Sequence, residues 1–256
     1  MTRPTALITG ASTGIGAEFA RRLGADGLDL VLVARSDDKL QDLATEIRRS
    51  TGMTVTVLAR DLGLPGASRD LVAECDGLGL EIDFLLNNAG FGTHGLVADA
   101  DPERLADEIR LNCGVLTELS QRFLPGMIAR RRGTIVNVAS NAAFQPLPLM
   151  AVYGATKAYV LSFTEALWHE TKGTGVRVLA LCPGPTETPF FDIAGEDFAR
   201  SKRTTTQLID TAKRALARDQ PSVVDGVSNA VVARLAVRLL PKKLALWGAE
   251  KTVGPR

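Results

Sequence analysis

The stretch Ala6–Leu7–Ile8–Thr9–Gly10–Ala11–Ser12–Thr13–Gly14–Ile15–Gly16 passes from an apolar run, through a glycine turn, into a helical pattern. Ala6–Thr9 reads as a buried strand and Ile15–Gly24 as the helix after it. The glycines permit a tight turn and close backbone approach. The helix N-terminus then offers free N–H groups and a positive dipole to a pyrophosphate. Strand, glycines and helix in that order are the context that makes a glycine loop a dinucleotide turn. The spacing here is GxxxGxG, not the commoner GxGxxG.

Working outward, the same alternation continues. Further strands are expected at Asp29–Ala34, Thr54–Ala59, Ile82–Asn87, Thr134–Ala139 and Val176–Cys182, with a short one at Ser222–Val224. Helices are expected at Asp37–Ser50, Gly66–Cys75, Pro102–Arg132 and Tyr153–Lys172. The strand runs are continuously apolar, as in parallel strands covered on both faces. This βαβ repetition predicts an α/β fold with a doubly wound parallel sheet. No Pro/Gly/Ser-rich linker divides the chain, so one domain is expected over 1–256. Residues 183–203 lack a regular pattern and suit a loop over a cleft. Residues 226–256 form a C-terminal helical extension, with a helical stretch at Val227–Leu240 and a tail carrying Lys242, Lys243 and Trp247.

Composition narrows the function. The 256 residues are 45% hydrophobic and carry a net charge of +1, so no global field draws nucleic acid or an anionic membrane. The basic stripe Arg234, Arg238, Lys242 and Lys243 lies amid Val231, Leu235, Leu239 and Leu240, and reads first as a packed helix face. Arg130–Arg131–Arg132 precedes Gly133 and reads as a solvated helix C-cap. Three cysteines at wide spacing argue against a disulfide framework or zinc site. His94 and His169 have no partner at metal-ligand spacing, so no metal is expected. No apolar run reaches membrane-span length, and the N-terminus shows no leader pattern. A soluble, reducing, cytoplasmic setting follows, with no stable membrane association.

Two places carry the chemistry. After the second strand, a dinucleotide turn usually has an acid that binds the adenosine ribose. Here Arg35 and Ser36 stand there, and an arginine fork suits a 2′-phosphate. Asp61–Leu62 is placed to reach the adenine, and Asn87–Asn88–Ala89–Gly90 to let backbone approach the cofactor. The second place is Tyr153–Gly154–Ala155–Thr156–Lys157. A four-residue spacing stacks Tyr153 and Lys157 on one helix face. An ammonium beside a phenol favours the phenolate, so the pair is expected to work as an acid/base near neutral pH. Ser140, at the end of a strand, is positioned to meet Tyr153 across a cleft.

As a set, these residues resemble the short-chain dehydrogenase/reductase family. TGASTGIG at 9–16, NNAG at 87–90, Asn112, Ser140, YGATK at 153–157 and Pro183–Gly184 follow that family's order and approximate spacing over residues 4–200. The resemblance implies a Rossmann-type sheet that binds NAD(H) or NADP(H) and interconverts carbonyls and alcohols. By the same resemblance, Ser140 bonds the substrate oxygen and Tyr153 transfers the proton. Lys157 binds the ribose, and Asn112 holds a water linking Lys157 to solvent. Cofactor contacts are expected from Gly10, Ser12, Thr13, Gly14, Ile15, Gly16, Asn88, Ala89, Gly90, Pro183, Gly184, Thr186 and Thr188. Thr13 replaces a basic residue common before the middle glycine, which leaves the 2′-phosphate to Arg35 and Ser36. NADP(H) is therefore expected as the preferred cofactor, with NAD(H) possible.

Phe91, His94, Asn141, Ala142, Phe144, Gln145, Met150, Phe190 and Phe191, with Ile193, are expected to wall a mostly apolar pocket for a lipophilic ketone or secondary alcohol. The helix at Tyr153–Lys172 is apolar nearly all round and predicts a homodimer with Pro102–Arg132 as its companion. The competing readings are an idle dinucleotide sensor on the same fold and an NAD(H)-preferring alcohol dehydrogenase.

Overall fold

A computed structural model describes residues 3–190, 194, 202–231 and 241–253 of the chain. Its strands are β1 (Thr5–Thr9), β2 (Asp29–Ala34), β3 (Val55–Ala59), β4 (Ile82–Asn87), β5 (Gly133–Val138), β6 (Val176–Cys182) and β7 (Ser222–Val224). All pair in parallel, in the order β3-β2-β1-β4-β5-β6-β7. This is the Rossmann-type doubly wound sheet. The order reverses between β1 and β4, and ligands of such sheets bind outside the strand ends at that point.

Successive strand side chains go to opposite faces. Ile8, Leu30, Leu32, Leu86 and Val136 pack under α1 (Gly14–Ala25), α2 (Asp37–Thr51) and α7 (Thr205–Ala217), with Phe19, Leu40, Leu208 and Ile209 opposite them. Leu7, Val31, Val33, Leu85 and Ile135 pack on the other face. There they meet Leu71 of α3 (Ala67–Gly77), Leu119 and Met127 of α5 (Leu116–Ala129) and Leu167 of α6 (Ala151–Glu170). Burial on both faces is why the strands read as unbroken apolar runs.

The expected helix over Pro102–Arg132 has internal structure. It comprises α4 (Pro102–Ile109), a π-helical turn Arg110–Val115, and α5. Arg130 and Arg132 are more than a solvated cap. Arg130 donates to the Ile82 carbonyl at 2.9 Å, and Arg132 forks onto the buried Asp83 at 3.0 and 3.2 Å. They tie the end of α5 to the start of β4.

The sequence pattern above does not predict helix α7. Its start is nevertheless written in the sequence: Thr204 and Gln207 form a reciprocal capping box. In the C-terminal extension, α8 (Val227–Val231) and α9 (Lys242–Val253) are described. Arg234, Leu235, Arg238, Leu239 and Leu240 lie outside the described residues.

Candidate active site

A cavity of about 1370 Å³ opens at the strand ends on the β1/β4 side. Its walls include the glycine turn, the ends of β2, β4 and β5, the start of α6 and the segment after β6. Gly10 (φ 65°) and Gly14 (φ 56°) sit in the left-handed region. A Cβ on Gly16 would lie 2.3 Å from the Gly10 carbonyl oxygen. The turn therefore admits only glycine at this position. Thr13, the N-cap of α1, makes no side-chain cap bond, and the first turn holds no acid. The helix end is left to complement an external anion. On these grounds the cradle fits a dinucleotide pyrophosphate.

Gly10, Ser12, Thr13, Gly14, Ile15, Arg35, Ser36, Asp61, Leu62, Asn88, Ala89, Gly90, Pro183, Gly184, Thr186 and Thr188 all line this one cavity. Gly16 does not; it backs the turn. Several linings also hold the wall itself. The Asn88 amide donates to the Thr9 and Gly10 carbonyls at 3.0 and 3.1 Å. Thr9 Oγ1 accepts from the Asn88 and Ala89 N–H groups, each at 3.0 Å. Thr186 Oγ1 donates to the Gly184 carbonyl. Thr188 packs its methyl against Gly14, so the segment after β6 closes on the glycine turn.

Ser140, Tyr153 and Lys157 line the same cavity, joined to the cradle by Gly90. Ser140 ends the strand run as the N-cap of a short helical turn, and its hydroxyl oxygen accepts from the Ala142 N–H at 3.1 Å. The Lys157 ammonium sits 5.7 Å from the Tyr153 ring centroid and donates to the Val138 carbonyl at 2.8 Å. The expected lowering of the tyrosine by the lysine is not what the packing produces. Burial pushes Tyr153 up to about 12, opposed by the Ser140 hydroxyl and aided by the charge of Glu108. Burial likewise pushes Lys157 down to about 8. Desolvation acts on each group, and outweighs helix-face proximity.

Asn112 lies in the π-helical turn, 1% exposed, behind the cavity wall. Its amide donates to the Phe91 carbonyl and to Thr156 Oγ1, and its oxygen accepts from the Phe91 N–H. It clasps the segment after NNAG to α6 next to Lys157. A Cβ on Gly90 would come within 2.6 Å of Asn112 Oδ1, which explains a glycine there.

Of the expected pocket residues, Phe91, Asn141, Ala142, Gln145, Met150 and Phe190 line the cavity. Phe144 does not: it packs into a separate apolar cluster with Leu116, Val160 and Leu161. His94 is also absent from the wall, and its N–H donates to the Ala194 carbonyl. Phe191 and Ile193 lie outside the described residues. The pocket is close-fitting near Tyr153. The Phe190 ring lies tilted against it at 5.2 Å between centroids, and a Cβ on Gly92 would meet Met150, Tyr153 and Phe190 at 2.9–3.1 Å.

Sequence reasoning missed several wall residues. Arg104 lines the cavity and lies over the Phe91 ring at 5.0 Å. From the far end of the chain, Ala249 of α9 packs in one apolar cluster with Tyr153, Ala142 and Met150, and Lys251 lines the cavity. No local pattern in the sequence signals that contact.

Residues 4–197 match the family described as short chain dehydrogenase. The chain belongs to that family. That family comprises oxidoreductases that bind nicotinamide cofactors and act on carbonyl and alcohol substrates. A curated relative is 17-beta-hydroxysteroid dehydrogenase type 3 of Mus musculus, 35% identical over 189 residues. The match covers 72% of this chain and 60% of that enzyme, so this chain spans under two thirds of its length. Among solved structures, a short-chain dehydrogenase from Sphingobium yanoikuyae in complex with NADPH superposes with a TM-score of 0.83 at 33% identity, covering 99% of this chain and 96% of that one. A bulky-bulky ketone specific alcohol dehydrogenase from Comamonas testosteroni superposes at 0.80 with 28% identity, covering 100% and 96%. Among the described residues, no helix is long and apolar enough to cross a membrane, and no His/Cys/Asp/Glu group could hold a metal.

Proposed function

We propose that this chain is an NADP(H)-dependent oxidoreductase, built as one domain, that interconverts a carbonyl and a secondary alcohol on a lipophilic substrate. The observation that carries the reading is that Ser140, Tyr153 and Lys157 share one cavity with the glycine turn and Arg35. When bound, the nicotinamide supplies or takes up the hydride. The glycine turn and the N-terminus of α1 would hold the pyrophosphate, and Arg35 and Ser36 the 2′-phosphate. The NADPH complex of the Sphingobium relative supports that cofactor choice.

The chain's own groups handle the oxygen. The Ser140 and Tyr153 hydroxyls would hydrogen-bond the substrate carbonyl, stabilise negative charge as it develops, and Tyr153 would donate the proton. With its pKa pushed up to about 12, Tyr153 is protonated near neutral pH, which suits it to give a proton and favours reduction. Lys157 carries a positive charge next to that step and would hold the ribose. Asn112 holds the backbone between them in place. The walls of Phe91, Ala142, Leu147, Met150 and Phe190 favour an apolar substrate body. The ketone specificity named for the Comamonas structure and the steroid named for the mouse enzyme agree with a bulky one.

The test is a panel of ketones, aldehydes and alcohols assayed by cofactor absorbance with both cofactors. Activity should rise with alkyl length or ring count, by at most about 0.8 kcal/mol in activation free energy per buried methylene. A preference for small charged keto acids contradicts the lipophilic pocket. Tyr153→Phe should lose roughly two to four powers of ten in turnover while cofactor binding persists. Near-normal turnover in that variant refutes the proton donor.

A further inference from the structure

One turn before Asn112 lies a carboxyl that the chemistry above does not use. Glu108 of α4 is 0% exposed, and the polar groups that approach its carboxyl are the Thr93 hydroxyl and N–H and the Arg104 guanidinium. A carboxyl buried to that degree is costly and calls for a physical reason. α4 packs against α6, and the π-helical turn that follows Glu108 carries Asn112, whose amide reaches Thr156 beside Lys157. Lys157 is buried too. Its ammonium donates to the Val138 carbonyl, which is a dipole and not a counter-charge. The groups whose charge acts on Lys157 are Cys113, Cys182 and Glu108, and only Glu108 is a carboxyl.

We propose that Glu108 is a positioning residue whose carboxylate is the counter-charge of the Lys157 ammonium and sets the charge state of the Tyr153–Lys157 pair. The proposal rests on the reading of that pair given above.

Burial pushes the Glu108 carboxyl up and the Lys157 ammonium down, and each charge opposes the shift of the other. Each ionised form therefore favours the other. The other groups facing Glu108 are few. The Thr93 hydroxyl and N–H, from the segment after β4, oppose its rise, as does the Arg104 guanidinium on α4. Tyr153 on α6 and Cys113 in the π-helical turn feel the Glu108 charge, which raises both. Burial raises the Cys113 thiol, so it stays neutral near pH 7 and supplies no anion. An ionised Glu108 thus keeps Lys157 charged and Tyr153 protonated, the state from which a proton can be given.

The experiment is Glu108→Gln in the full chain. The midpoint of the Lys157 amine is read by competitive trace acetylation and mass spectrometry across pH, without cofactor. The wild-type midpoint should lie near 8. In the variant it should fall by roughly one pH unit, the lower end of what one opposite charge does. The alkaline limb of the kcat/KM profile should move the same way. A merely structural role would lower activity at every pH and leave the midpoint where it was, and an unmoved midpoint overturns the proposal. Should Glu108→Gln fail to fold by circular dichroism, Lys157→Met carries the test. It should raise the Glu108 carboxyl midpoint, followed by carbon NMR of labelled glutamate, and an unchanged midpoint overturns the proposal equally. The titration needs no turnover. Wild-type inactivity over the whole ketone panel would therefore tell against the oxidoreductase reading, and not against the Glu108–Lys157 coupling.

Discussion

Lys157 makes a stability prediction that can be worked through. Its ammonium is buried, and its pKa falls from the ordinary 10.5 to about 8. Between those values the unfolded chain holds a proton that the folded chain has released. Stability therefore rises with pH through this window and is lost as pH falls toward 8. At about 1.4 kcal/mol per pH unit, the full span amounts to about 3 kcal/mol. Lys157→Met removes the titration while keeping an unbranched side chain. The variant leaves the Val138 carbonyl without its donor, a cost of about 1–3 kcal/mol that does not depend on pH. The pH-dependent part is thus separable. Urea unfolding of both proteins at intervals from about pH 7 to 10 should show the wild type gaining on the variant as pH rises, most of the roughly 3 kcal/mol appearing above pH 8. A wild-type-minus-variant difference that is flat across this range would refute the buried, depressed lysine.

Arg35→Asp should weaken NADP(H) by roughly ten- to a hundredfold, the range of a lost charge-assisted hydrogen bond, and favour NAD(H) relatively. Tighter NAD(H) than NADP(H) binding by the wild type would defeat that assignment. Gly16→Ala puts a Cβ 2.3 Å from the Gly10 carbonyl oxygen. Dinucleotide affinity by fluorescence titration should drop by about tenfold or more, and unchanged affinity would mean the turn does not hold the pyrophosphate. A homodimer is expected through the exposed α6 face of Ala151, Ala155, Ala158 and Tyr159, with Ile109 of α4 alongside. Light scattering at micromolar concentration should give a dimer mass and Ala158→Arg a monomer, whereas a wild-type monomer would remove the interface.

Much of this protein is local and therefore legible in its sequence. Parallel strands covered on both faces must be apolar without a break, so Asp29–Ala34, Ile82–Asn87 and Val176–Cys182 could be bounded by reading alone. A turn that a dinucleotide approaches must lack side chains, so Gly10, Gly14 and Gly16 stand out. Helical spacing brings Tyr153 and Lys157 to one face. Other properties depend on what packs over a residue, and no spacing encodes that. Phe144 lies in a single helical turn and His94 in an irregular segment, both too short to show a period, and neither lines the cavity. Glu108 reads like any charge on a solvated face until α6 and the segment after β4 cover it. Ala249 joins the apolar cluster of Tyr153 from a helix far along the chain. The ionisation of Tyr153 and Lys157 escapes the sequence for the same reason: proximity along a helix is fixed by sequence spacing, but desolvation is set by the neighbours that exclude water, and those are assembled only when the chain folds.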